Sequence, residues 1–167
     1  MALTQQLARV TLEYLGLCRE TALSAVDGDP HWDPPDGDTL DLDWAIWELL
    51  TFYRCMRPGD RSISVIERSI EGDTRDEIGF LDHLSVYDGF GDPPALVTPT
   101  AVAEVADELA MLDIEPLLRT LPEYRTAGGF AGSSGDPHTY LVEHFAQLRN
   151  FYETAAARGL AVVVWTD

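Results

Sequence analysis

The sequence predicts an α/β (or α+β) fold: one layered domain, residues 1–167, in which a small mixed β-sheet is covered by about five helices. Three observations predict it. The first is the stretch Asp41 to Tyr53, where Leu42, Ala45, Ile46, Leu49 and Tyr53 recur as one helical stripe while Trp44, Trp47, Leu50 and Phe52 cover most of the remaining circumference. A helix apolar nearly all round is packed on several sides. The second is the continuous run Leu160-Ala161-Val162-Val163-Val164-Trp165, the pattern of a strand buried on both faces. The third is a pair of cap-and-proline dipeptides, Thr98-Pro99 and Asp136-Pro137, each opening a stretch with apolar residues three and four apart. A chain of this length buries about 70% of its unfolded surface in a single core without disulfides or metal.

Near the N-terminus, Leu3 and Leu7 suit a helix, but a strand ending at Val10 leaves Thr11 free to cap the next helix, and the strand is preferred for residues 1–10. From Leu12, the spacing of Leu15, Cys18, Ala22 and Ala25 predicts an amphipathic helix closed by Asp27-Gly28-Asp29-Pro30. An Asp-, Pro- and Gly-rich loop runs to Leu40, with Asp41 as the cap of the central helix and Arg57-Pro58-Gly59-Asp60 as its end. Ser64-Val65-Ile66-Glu67 reads as a capping box for a short helix stopped at Gly72. Partial alternation of Phe80, Leu84 and Val86 suggests a strand over Ile78 to Tyr87, and Ala95-Leu96-Val97 a second short one. The helix after Pro99 carries Val102, Val105, Leu109 and Leu112 on one face, and a short helix spans Glu115 to Thr120. Beyond the glycine-rich loop Gly128 to Gly135, Leu141, Phe145, Leu148, Tyr152 and Ala155 mark the longest helix, stopped by Gly159.

Charge narrows the function classes. The chain carries 29 acidic residues against 11 basic ones, a net charge of −18, and every base is Arg. Without lysine there is no Schiff-base chemistry and no P-loop. An acidic surface with no basic stripe repels phosphate backbones and anionic lipid, so neither nucleic acid nor membrane is an expected partner. A basic protein is the electrostatically natural one. Cys18 and Cys55 lack CxxC spacing and read as reduced, buried thiols of a soluble cytoplasmic protein, and the N-terminus lacks the basic and apolar regions of an export signal.

No motif reaches a catalytic or cofactor pattern. The seven Asp from Asp27 to Asp43 miss the glycine and glutamate positions of an EF-hand loop, and His31, His83, His138 and His144 share no metal spacing. The loop GGFAGSSG lacks a P-loop ending, and Asp136 places a carboxylate where a phosphate would sit. Ser133, Ser134 and His138 lie close together without a nucleophile elbow. Glu67 with Glu71, and Glu104 with Glu108, fall on polar helix faces. Asp41 and Asp43 beside Trp44 and Trp47 form the one acidic and aromatic cluster with the character of a pocket wall.

The order Leu40-Asp41-Leu42-Asp43, Leu96-Val97-Thr98-Pro99, Tyr140-Leu141, Phe145, Leu148, Phe151-Tyr152, Ala155-Ala156, Gly159 and Val164-Trp165 resembles the YfbM-like family of small bacterial proteins, classed as a domain of unknown function. The likeness runs from Leu40 to the C-terminus and implies a layered α/β domain, with no established activity. Relatives often carry a Trp-His pair in the helix after the Leu-Asp-Leu-Asp segment and another His one turn on. Those places hold Ile46-Trp47 and Leu50 here, so the resemblance transfers no catalytic residue.

The resulting expectation is a non-enzymatic, cofactor-free acidic binding module, of the kind an immunity protein represents, engaging a basic protein partner. The alternative is a small enzyme or metabolite-binding protein with a pocket near Asp41, Asp43, Trp44 and Trp47.

Overall fold

The computed structural model describes residues 4–89, 91–126, 128–129 and 135–167. The first strand, β1 (Gln5–Val10), leads through Thr11 into α1 (Leu12–Ser24), with the Thr11 hydroxyl accepting from the Tyr14 amide. A 3-10 turn at Asp36–Asp38 precedes β2 (Thr39–Asp41), and α2 (Ala45–Met56) and α3 (Arg61–Glu71) come next. After a 3-10 segment at Asp76–Leu81 come β3 (Ala95–Val97), α4 (Pro99–Met111), the short α5 (Glu115–Leu118) and α6 (Leu121–Thr126), then α7 (Pro137–Ala157) and β4 (Ala161–Thr166).

The strands form one sheet in the order β2-β1-β4-β3. All three pairings are antiparallel, so the class is as expected while the sheet is antiparallel throughout rather than mixed. The apolar run of β4 needs no parallel neighbours, because both faces are covered by other means. Leu7, Val162, Val164 and Val97 face a core built from α2, α3, α4 and α7. Ala8, Val10, Ala161, Val163 and Trp165 face a smaller core with Leu15 of α1, Ile78 and Leu81 of the 3-10 segment, and Val86 and Tyr87 beyond it. Period-two side-chain direction sends alternate residues of each strand into different cores.

The central and C-terminal helices match their sequence patterns. Leu49, Leu50 and Phe52 of α2 are fully buried, as are Leu141, Leu148, Tyr152 and Ala155 of α7. Thr98 and Asp136 cap α4 and α7 as anticipated, Asp136 accepting from the amides of His138 and Thr139. Tyr152 reaches through the core, its hydroxyl donating to the Ser69 carbonyl at 2.8 Å, and full burial pushes its phenol well above the ordinary range.

Several expectations are corrected. Residues Ile78 to Tyr87 form no strand: Ile78 and Leu81 are buried three apart, as a 3-10 turn places them, whereas Leu84 lies in solvent. The helix α3 opens four residues earlier than the capping box suggested. Asp60 caps it by accepting from the Ser62 amide, and Ser64 instead bonds back to the Arg61 carbonyl inside the helix. Asp41 does not cap α2; its carboxylate closes a turn with the Asp43 amide. The short helix expected over Glu115 to Thr120 is present as α5, and a further one that the sequence reading did not include, α6, opens at Leu121-Pro122. Cys18 is buried but Cys55 is exposed, and both are free. Most of the Gly128 to Gly135 loop, with Ser133 and Ser134, lies outside the described residues.

Candidate functional site

The Asp41 to Trp47 segment sits where the edge of the sheet meets the start of α2. Asp41 ends β2 and its Oδ1 accepts from the Asp43 amide at 2.8 Å, a local turn that competes with helix formation and explains why Asp41 is not a helix cap. Asp43 adopts φ 50°, a left-handed conformation that aspartate tolerates better than most residues. That kink redirects the chain so that α2 starts at Ala45, with Trp44 at the cap position and no side-chain cap bond.

Two remote residues hold the kink. The Asp43 carbonyl accepts from the Gln5 amide at 2.8 Å, and its Oδ2 accepts from the Tyr140 hydroxyl, 3.0 Å away on the first turn of α7. Burial, reinforced by the Asp43 carboxylate, pushes the Tyr140 phenol up to about 12, so it stays a neutral donor across the physiological range. Asp41 and Asp43 are both exposed.

Gln5 is the hub of this corner. Its side chain is completely buried; Nε2 donates to the carbonyls of Ile70 at 3.2 Å and Trp165 at 3.0 Å, and Oε1 accepts from Trp47 Nε1 at 2.8 Å. Because Gln5 and Leu7 share a face of β1, a polar residue enters the larger core and ties α2, α3 and β4 together. It also fixes the plane of the Trp47 indole. Trp44 stacks on that ring, with centroids 5.5 Å apart and planes 21° from parallel. Both indoles are partly exposed.

The stacked pair forms one wall of an open cleft of about 330 Å³. Its apolar lining comes from Ile70, Ala95 and Val164, and its charged lining from Glu71 ending α3, Arg75 just beyond it and Asp92 in the turn before β3. Arg75 donates to Asp92 at 3.2 Å and to the Pro93 carbonyl at 3.2 Å. Among the described residues Glu71 has no ion-pair partner. The cleft therefore contains the two tryptophans singled out in the sequence, while Asp41 and Asp43 support the wall from outside without lining it.

Gln5, Arg75, Asp92 and Tyr140 were missed as site residues at the sequence level, and Glu71 was read only as part of a polar helix face. Gln5 carried a usable signal, a polar residue in phase with a buried leucine on one strand. The others are distant in sequence and meet only through the fold.

Other polar groupings are braces. The Ser85 hydroxyl lies 2.8 Å from Asp29 Oδ1 and 2.8 Å from His83 Nδ1, and the Ser85 amide donates to the same ring nitrogen at 3.1 Å. The carboxylate meets the hydroxyl and not the imidazole, whereas in a serine–histidine–acid relay the acid orients the imidazole. At the opposite end of the sheet, Asp38 binds Arg9 at 2.8 Å and also Arg158, fastening the loop before β2 to β1 and the end of α7. Among the described residues, no three His, Cys, Asp or Glu side chains gather in a way that could hold a metal ion, and no helix is long and apolar enough to cross a membrane.

The profile of a domain of unknown function (DUF1877) matches residues 47–165, from Trp47 on α2 to Trp165 on β4. Among solved structures, the chain is similar to a protein of unknown function, YfbM from Escherichia coli, with a TM-score of 0.55 and 13% identity, covering 96% of this chain and 98% of that one. At that identity the likeness establishes a shared fold and carries no residue roles. No curated protein matches the chain.

Proposed function

Because the chain belongs to the DUF1877 family, a domain of unknown function, its role has to be argued from its own chemistry, and we propose that it is a non-enzymatic binding protein whose acidic surface engages a basic protein partner. The observation that carries this reading is the surplus of carboxylate. Of the 29 acidic residues, five, Asp38, Glu67, Asp73, Asp92 and Glu104, account for every arginine ion pair among the described residues. Most of the rest are exposed and project negative potential into solvent, which speeds and orients encounter with a positively charged surface. Such a partner would be met in the cytoplasm, where the free thiols Cys18 and Cys55 stay reduced.

The test is retention of native-extract proteins on the immobilised full chain at low salt and at about 1 M salt, where the screening length is only about 3 Å. A partner of high isoelectric point, held at low salt and released at high salt, is the expected result, to be confirmed by titration with the purified partner. Retention of nothing, or only of proteins indifferent to salt, would overturn the reading.

The cleft beside Trp44 and Trp47 favours a second reading, a small-molecule binder. Thermal-shift screening of metabolites separates the two, since a ligand at 100 times its dissociation constant adds about 2.7 kcal/mol of stability. A hit lost in Trp44→Ala would favour this alternative.

A further inference from the structure

The cleft beside α2 has a composition that the general surface charge does not explain. A surface built only for acidity would place carboxylates in open solvent, yet here two partly exposed indoles stand stacked at the edge of a recess with an apolar lining. Holding them there takes a fully buried amide, Gln5, which pins Trp47 through its only hydrogen-bonding group. The same recess is lined by Glu71, Arg75 and Asp92, two carboxylates against one guanidinium, which leaves it with a local excess of negative charge. Arg75 already occupies Asp92, so Glu71 is the carboxylate left to serve an incoming group.

We propose that this cleft is a receptor for a single arginine side chain presented by a protein partner. The inference rests on the acidic-binder reading above and adds its point of recognition. An indole face attracts a cation through its quadrupole, and among side-chain cations guanidinium is the better fit because it is flat, stacks on aromatic rings and gives up water more readily than an ammonium. Lying against Trp44, such a group would place its free N–H edges toward Glu71, where a carboxylate accepts in a fork geometry. The apolar lining of Ile70, Ala95 and Val164 suits the methylene stem of the same side chain. Arg75 shows that a guanidinium is accommodated at this rim. A volume of about 330 Å³, at the small end of ligand pockets, admits one long side chain.

The test uses the intact protein and a short uncharged peptide carrying one central arginine, compared with the same peptide carrying citrulline, which keeps the shape and loses the charge, and with a lysine version. The readout is the pair of indole N–H resonances of Trp44 and Trp47. The arginine peptide should shift both in a saturable way, the citrulline peptide should shift neither, and the lysine peptide should bind more weakly. Glu71→Gln should weaken the arginine peptide about fivefold, as expected for a cation losing its counter-ion beside an aromatic ring, while Glu20→Gln on α1, on the other side of the sheet, should leave it unchanged. Equal shifts from arginine and citrulline, no response at either indole, or an unaltered affinity in Glu71→Gln would each overturn the proposal. The outcomes separate from those of the parent reading: a salt-sensitive basic partner bound equally well by Trp44→Ala keeps the acidic binder and removes the arginine seat, whereas arginine-peptide binding without such a partner keeps the seat and removes the parent reading.

Discussion

Replacing Gln5 by methionine tests whether one buried amide organises the corner on which the cleft depends. Methionine is close to glutamine in length and volume, so the substitution removes hydrogen bonds while opening little space. Three short bonds are lost, to Trp47 Nε1 at 2.8 Å, the Trp165 carbonyl at 3.0 Å and the Ile70 carbonyl at 3.2 Å. Each hydrogen bond contributes about 1 kcal/mol net, and a buried partner left unsatisfied costs about 1–3 kcal/mol. The Trp47 indole is partly exposed and can turn to water, whereas the two carbonyls meet the amide in the interior. The expected loss is therefore about 3 kcal/mol, most of it from the carbonyls. For a chain of this size that corresponds to a fall in Tm of about 6–12 °C. Urea unfolding followed by far-ultraviolet circular dichroism should show a lower midpoint with an unchanged slope. The indole resonance of Trp47 should also broaden or move as its acceptor disappears. A loss below about 1 kcal/mol, or a Trp47 resonance at its wild-type position, would refute the hub role assigned to Gln5.

Three further outcomes are expected. Tyr152→Phe removes the fully buried hydroxyl that donates to the Ser69 carbonyl and should cost about 1–3 kcal/mol in urea unfolding, with the fold retained. Gly72→Ala should cost about 2–4 kcal/mol by the same measurement, because Gly72 has φ 72° and an added Cβ would meet the Ala95 Cβ at 2.7 Å, combining left-handed strain with overpacking. Arg158 and Arg9 hold the Asp38 carboxyl below its ordinary range, Arg158 having the larger effect. The folded form thus binds its proton less readily than the unfolded form, so the contribution is complete above the unfolded value of about 3.9 and is lost as pH falls through the lower folded value. Midpoints measured at pH 6 and pH 3 should accordingly differ less in Asp38→Asn than in the wild type; an identical difference would dissociate this triad from acid sensitivity.

Much of the fold was written in local pattern. Thr11, Thr98 and Asp136 cap helices where their side chains could reach amides two or three residues on, a requirement that involves only neighbouring positions. The four-three spacing along α7 and the unbroken apolar run of β4 likewise state how many sides of each element must be covered. Where local pattern misled, two chemistries competed for the same residues. Asp41 could cap a helix or close a turn with the Asp43 amide, and the turn prevailed because Gln5 and Tyr140 grip Asp43 from β1 and α7. Ile78 to Tyr87 offered partial alternation, but burial of Ile78 and Leu81 against the second face of the sheet selected a 3-10 turn.

The candidate site divides along the same line. Sequence alone determined that Trp44 and Trp47 lie one turn apart at the start of a helix, and that the chain carries an excess of 18 negative charges, since spacing and composition are properties of the chain itself. Which charges share the cleft with the indoles was decided only in three dimensions. Glu71 and Asp92 reach the cleft because antiparallel pairing of β3 with β4 brings the turn before Ala95 alongside the end of α3. Long-range pairing obeys the packing of whole faces, and no interval in the sequence records it.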